Sequence, residues 1–288
     1  MKIIKTIPKL KPRKKDAHKG DFGKVCIIAG SIGFSGAAAL TGRAALRAGS
    51  GLVRVATPKS VLPIVASIEP CFTTVPLPED EAGRIDASAV NTILNLVADN
   101  DCLAFGPGVG ISLGVRSVLS RLIEQEGLRL VIDADGLNNL SMISDWPSRA
   151  KNEIILTPHP GEMKRIWTAL LRPPLPDDRT SQAVDLANKT KTIVALKGAG
   201  TVVTDGQKVY VNKTGNPGMA TAGAGDVLTG VIAALIGQGL SNFDATVSGV
   251  YVHGLAGDIA AKKLGQISMI ATDIIDALPD ALMKFVKQ

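Results

Sequence analysis

Residues 214 to 230 read TGNPGMATAGAGDVLTG, and the types and spacing of these residues define a piece of chemistry. Gly223, Ala224 and Gly225 stand directly ahead of Asp226 and of an apolar face that begins Val227, Leu228, Val231 and Ile232. This is the pattern of a helix entered through a turn almost free of side chains. The first N–H groups of a helix find no partner within it and the helix dipole is positive at that end, so the segment offers an anion hole that suits a phosphate. Asp226 falls in the first turn of the predicted helix, where an acidic side chain often serves only as a cap. Beside a bound phosphoryl group, the same carboxylate is placed to take the proton from an attacking hydroxyl. The flanking glycines favour that second reading. No Gly-Lys-Ser/Thr follows, so this is not a Walker loop, and a dinucleotide-binding glycine fingerprint is absent.

The elements that must hold this segment are legible upstream. Short apolar runs occur at 24–29, 52–57, 102–105, 128–133, 153–157 and 192–197, and helical periodicity predicts helices near 37–48, 86–99, 114–126 and 180–190. Nearly continuous apolar strands alternating with helices predict an α/β fold with a mainly parallel sheet covered on both faces. After 197 a short Asp-Gly turn at 205–206 predicts a hairpin at the sheet edge, and three long helices follow near 224–238, 243–263 and 271–286. Each strand runs into residues that cannot continue it: AGS, TP, GPG, DADG, TPHPG and KGAG. In an open α/β sheet these endings share the carboxyl edge, where such folds bind ligands. His159, between Pro158 and Pro160, reads either as rigid loop filler or as a hydrogen-bond donor to a ligand, and its fixed direction suits the donor. The proline-rich 171–180 stretch reads as a mobile surface loop.

Composition excludes other classes. With 288 residues, 45% hydrophobic and 20% charged, the chain is neither disordered nor fibrous and needs no disulfide staple. Three cysteines without ligand spacing, Cys26 and Cys102 in apolar runs and Cys71 alone, read as reduced core thiols of an intracellular protein. The net charge of +6 suggests nucleic acid only until it is located, because residues 1–20 carry +7 and the remainder −1. Residues 1–16 are therefore read as a solvated basic arm and 17–288 as one domain. The arm lacks the continuous apolar core of a signal peptide and no run reaches a membrane span, so the expected address is the cytoplasm, with no nucleic-acid or membrane partner.

From about residue 17 the chain resembles the ADP-dependent NAD(P)H-hydrate dehydratase family, a branch of the ribokinase-like fold. The motifs that carry the resemblance are HKGDFGKV (18–25), AGSIGFSGAAAL (29–40), FGPGVG (105–110), DADGL (133–137), LTPHPGE (156–162), LKGAGT (196–201), the 214–230 segment and YVHGLAGD (251–258). Departures from the family pattern are Lys213 in place of proline, Ala224 of threonine and Gly136 of alanine. The resemblance implies a three-layer α/β/α fold and removal of water from hydrated NADH or NADPH, with ADP as co-substrate and Mg2+, giving AMP and phosphate. It implies Asp226 as base, Gly223, Ala224 and Gly225 as the anion hole, and Lys197, Gly198, Ala199, Gly200, Thr201 and Gly225 as contacts to the AMP portion. Ala37, Ala38, Gly108 and His159, with Asp226, would line the hydrated-nucleotide side. It also implies a homotetramer. Larger members carry an epimerase domain ahead of this one, for which 288 residues are expected to leave no room.

The histidines are too scattered for a metal site. Magnesium would be held mainly by phosphates and water, with Asp133 and Asp135 either holding those ligands from behind or acting as caps. Two other readings share the anion hole. One is a kinase that phosphorylates a vitamin or sugar alcohol from ATP, and the other is a nucleotide-binding regulator, which would have no use for Asp226 as a base.

Overall fold

Runs of Val, Ile and Leu without a polar face need cover on both sides. In the computed structural model, which describes residues 1–171 and 174–287, they become the inner strands of a ten-stranded sheet. The first half of the chain gives β1 (Lys2–Ile3), β2 (Lys24–Ile28), α1 (Ser35–Arg47), β3 (Leu52–Pro58), α2 (Leu62–Ile68), β4 (Thr73–Leu77), α3 (Val90–Val97), β5 (Cys102–Phe105) and α4 (Leu113–Leu122). Next come β6 (Arg129–Ile132), α5 (Asp135–Leu140), α6 (Trp146–Arg149), β7 (Glu153–Leu156), α7 (Pro160–Leu170) and α8 (Arg179–Thr190). The last part holds β8 (Ile193–Leu196), β9 (Val202–Thr204), β10 (Lys208–Val211), α9 (Ala224–Gly237), α10 (Asn242–Leu264) and α11 (Ala271–Lys287).

The strand order is β1-β10-β9-β8-β7-β6-β5-β2-β3-β4, parallel throughout except for β9, which opposes both neighbours. Alternation along each strand separates two cores. Val25 and Ile27 of β2 face the layer containing α1, α9, α10 and α11, whereas Cys26 and Ile28 face the layer containing α3 to α8. The result is the expected three-layer α/β/α arrangement. Helix α9 lies between α1 and α10, and from Val227 to Ile236 every residue is buried. A helix that is apolar all round is held on every side, so its N-terminus, where Asp226 sits, is a fixed point.

The expectation of a free basic arm is corrected. Lys2 and Ile3 pair in parallel with Lys208 and Val209, because β10 would otherwise leave a row of backbone groups without partners. Further along, Ser248 Oγ donates to the Pro8 carbonyl at 2.6 Å. Arg13 stacks 3.8 Å from the Phe22 ring centre and donates to the Gly49 carbonyl at 2.7 Å. The backbone is docked while most of the lysines point to solvent. The β9–β10 hairpin consequently lies one strand in from the edge. Elements β4, α2, α5, α6 and α7 occupy segments where the sequence reading places no regular structure. In the proline-rich stretch Asp178 caps α8 through the Ser181 N–H at 2.7 Å, and Arg172 and Pro173 lie outside the described residues. Cys26 and Cys102 are buried, with burial pushing both thiols up to about 12, while Cys71 is exposed rather than in the core.

Candidate active site

The turn into α9 requires its glycines. Gly223 has φ +86°, and a Cβ there would stand 2.5 Å from Leu40 Cδ1, so only glycine enters the helix at this angle. No side chain caps α9. The Ala224 N–H goes back to the Thr221 carbonyl and the Val227 N–H to the Gly223 carbonyl, which leaves the N–H groups of Gly225 and Asp226 for a ligand. Gly225 serves a second purpose, since a Cβ on it would lie 3.2 Å from Lys197 Nζ. Its bare backbone admits a cation to the mouth of the anion hole.

Lys197 follows β8 and is locked in place by β6. Its Nζ donates to Asp133 Oδ1 at 2.6 Å and lies 3.8 Å from Glu162 Oε2. The other oxygen of Asp133 accepts from Thr229 Oγ1 at 2.6 Å, so the fully buried Asp133 ties Lys197 to α9. Burial, followed by the charge of Asp133, pushes the Asp226 carboxyl up to about 7, with Lys197 opposing. Burial likewise pushes Glu162 up to about 7, with Lys197 opposing and Asp133 assisting. For Lys197, burial works against the ammonium, but Asp133 and Glu162 outweigh it and its pKa is raised. Two carboxyls that titrate near neutrality beside a fixed cation can move protons at physiological pH.

These groups open into one cavity of about 780 Å³, the size of a nucleotide site. Its lining includes Lys197, Gly198, Ala199, Gly200, Thr201, Ala224, Gly225, Asp226 and His159, so the candidates for the base, the anion hole and the AMP contacts meet in one place. Gly223 stands behind them as the N-cap of α9. Ala37, Ala38 and Gly108 lie outside this lining. Gly108 abuts Ala37 and Phe34, since a Cβ on it would lie 2.9 Å and 2.8 Å from theirs. Ala38 is fully buried in the core, backbone included, so the expectation that it contacts a ligand is corrected: it supports Ala37 and Gly108 from behind.

His159 is more than a loop residue between prolines. It is the N-cap of α7, with Nδ1 accepting from the Gly161 N–H at 3.0 Å and its own N–H donating to Glu162 Oε2 at 2.8 Å. Because Nδ1 accepts, the neutral ring carries its proton on Nε2, which lies 3.2 Å from Glu162 Oε1. Burial, then Lys197, lowers the His159 pKa. This capping box, rather than the prolines, sets the direction of the ring.

Several residues in and behind the cavity wall escaped the sequence reading. Glu162 was signalled only by its place three residues after His159, and Thr229 by sharing a helical face with Asp226. His253 had no sequence signal; it lines the cavity and burial drives its pKa down to about 4, which keeps the ring neutral. Ala134, at φ +50°, also lines the cavity, a strained backbone position between Asp133 and Asp135. Asp135 itself is a staple, accepting from the Gly110 N–H at 3.0 Å and from Asn138 Nδ2 at 3.1 Å. Among the described residues no three His, Cys, Asp or Glu side chains are grouped so as to hold a metal ion, and no helix is long and apolar enough to cross a membrane.

The backbone is similar to that of a ribokinase-like superfamily protein from Enterococcus faecalis, with a TM-score of 0.82 and 26% identity over 97% of this chain and 93% of that one. It is similar also to the ADP/ATP-dependent NAD(P)H-hydrate dehydratase of Bacillus subtilis crystallised with ATP and Mg2+, with a TM-score of 0.79 and 26% identity over 96% and 94% of the two chains. The fold is thus of the ribokinase-like class. Residues 25–280 match the family model for NAD(P)H-hydrate dehydratase, and the chain belongs to that family. A bifunctional NAD(P)H-hydrate repair enzyme Nnr from Moorella thermoacetica is 42% identical over 94% of this chain and 51% of its own length. The Escherichia coli K12 protein of the same name is 37% identical over 93% and 49%. The chain therefore spans about half the length of these curated relatives.

Proposed function

We propose that the chain restores hydrated NADH and NADPH to NADH and NADPH at the expense of ADP, giving AMP and phosphate. The observation that carries this reading is Asp226, a carboxylate titrating at about 7 in the first turn of an uncapped helix, in the same cavity as Lys197. Hydroxide is a poor leaving group. Asp226 takes the proton of the ring hydroxyl as its oxygen attacks the terminal phosphorus of ADP, and the bond from that phosphorus to the AMP oxygen breaks. The N–H groups of Gly225 and Asp226, with Lys197, stabilise the charge on the transferred phosphoryl. The ring nitrogen then expels phosphate with the C–O electron pair, and loss of a proton from the adjacent carbon restores the double bond.

Magnesium, when bound, would neutralise phosphate charge. The oxygen-rich set of Asp226 and Glu162 suits such a hard cation through phosphates and water. The proposed nucleotide side is Lys197 to Thr201, and the proposed hydrate side Ala37, Gly108 and His159. On the family resemblance, the working form is a homotetramer in the cytoplasm. The stoichiometry tests the reading. Chromatography of a reaction with hydrated NADPH and ADP should show equal AMP and phosphate, both depending on the hydrate. ADP consumed without the hydrate, or phosphate without AMP, would contradict it.

A further inference from the structure

The YVHGLAGD segment lies on α10, and the chemistry above makes no use of most of it. Gly257 and Asp258 lie three and four residues after Gly254 and so share its face of the helix. Residues 214–219, which supply part of the cavity wall, lie on this face. A Cβ on Gly254 would collide with Thr214, and one on Gly257 with Met219 Sδ. The two glycines are therefore the bed of the wall. Thr214 Oγ1 donates to the Tyr251 carbonyl at 2.9 Å.

Asp258 completes the attachment. One of its oxygens accepts from the Gly215 N–H at 2.9 Å and the other from Asn216 Nδ2 at 3.1 Å. The Asn216 amide cannot turn over, because its oxygen accepts from the Gly218 N–H at 3.0 Å. Two donors in fixed orientation thus face two carboxylate oxygens, a demand that neither an amide nor a hydroxyl meets. The opposite margin of the wall is tied to the proposed nucleotide loop, since the Asn212 N–H donates to the Thr201 carbonyl at 2.9 Å. Asp258 is not part of the cavity lining.

We infer that Asp258 is a positioning residue for the nucleotide: it holds the 214–219 wall on α10 in the shape that ADP enters, without touching ADP itself. The inference rests on the reading of the cavity as a nucleotide site and names the contact that sets its affinity. Without the carboxylate the wall must be ordered when the nucleotide binds, and that cost appears in nucleotide affinity.

The test is calorimetric titration of ADP into wild type, Asp258→Asn and Asp258→Ala, with the KM of each substrate measured on the same preparations. Asp258→Ala should raise the Kd for ADP about tenfold or more, the loss of two charge-assisted bonds to the wall. Asp258→Asn keeps one acceptor and should fall between the two. The KM for the hydrated nucleotide should stay close to wild type in both. Should the alanine variant fail to fold, the asparagine variant decides alone, with near-UV circular dichroism as its check. A folded variant with unchanged ADP affinity, or an equal rise in both KM values, overturns the inference while leaving the nucleotide reading intact. Wild-type protein that binds neither ADP nor ATP overturns both.

Discussion

Replacing Asp226 with Asn removes a charge while keeping shape and a hydrogen-bonding side chain at the start of α9. Its consequences for catalysis and stability run in opposite directions. As general base, Asp226 acts only while the hydroxyl is being attacked, so its loss falls on the transition state rather than on bound substrate. General-base catalysis contributes about a hundredfold to ten-thousandfold, and a drop of at least about a hundredfold in turnover is expected with ADP affinity nearly unchanged. For stability, the carboxyl sits at about 7 in the folded protein against an ordinary 3.8. A folded pKa raised above the unfolded one gives stability that is complete below about 4 and lost as pH climbs to about 7. The full penalty would be about 4 kcal/mol, and screening at a part-exposed side chain reduces this to about 1 to 2 kcal/mol. Asp226→Asn should therefore match wild type near pH 4 and be the more stable protein at pH 8. Urea unfolding at both pH values, beside a turnover assay on the same material, reads both effects. Normal turnover in the variant would refute the catalytic assignment, and equal stability at pH 8 would refute the account of a carboxylate charged at a cost.

The same carboxyl governs the pH profile: kcat/KM should fall about tenfold per pH unit below about pH 7 as the base protonates, and a profile flat between about pH 5.5 and 8 would contradict it. His159→Ala removes the cap of α7 and the partner of Glu162, so it should cost about 1 kcal/mol of stability and raise the KM for the hydrated nucleotide while the Kd for ADP stays within about twofold; equal losses for both substrates would make the residue purely structural. Deleting residues 1–15 strips the β1 pairing from β10 and leaves the buried Ser248 hydroxyl without its Pro8 acceptor. The truncated protein should lose about 1 to 3 kcal/mol by chemical denaturation yet turn over normally per folded molecule.

The interior strands were legible because a strand covered on both faces needs an unbroken apolar run, and KVCII, CLAF and IVAL are such runs. Strand β4, TTVPL, was not, because it is a sheet edge with mixed exposure and a proline. Helix α7 was hidden by its own start: PHPG reads as a turn that ends β7, although Pro160 is at the first helical position and His159 is the cap. The arm was misread because two residues of strand carry no periodicity, and what docks them is the open edge of β10, a partner over 200 positions away. At the site, residues at strand ends and at the α9 turn could be found from spacing alone. His253 and Asp258 could not, since each lies within a helix and only packing shows which of its faces meets the cavity or its wall.

The central claim is that Asp226, the α9 anion hole and Lys197 together dehydrate a hydrated nicotinamide nucleotide at the expense of ADP. Its most direct test is to incubate the purified protein with hydrated NADH, ADP and magnesium and follow the return of reduced-nicotinamide absorbance. The absorbance should return only when ADP and protein are both present, and at most at about one hundredth of that rate with Asp226→Asn. No return with wild type, together with phosphorylation of a small alcohol from ATP, would contradict it and make the chain a kinase.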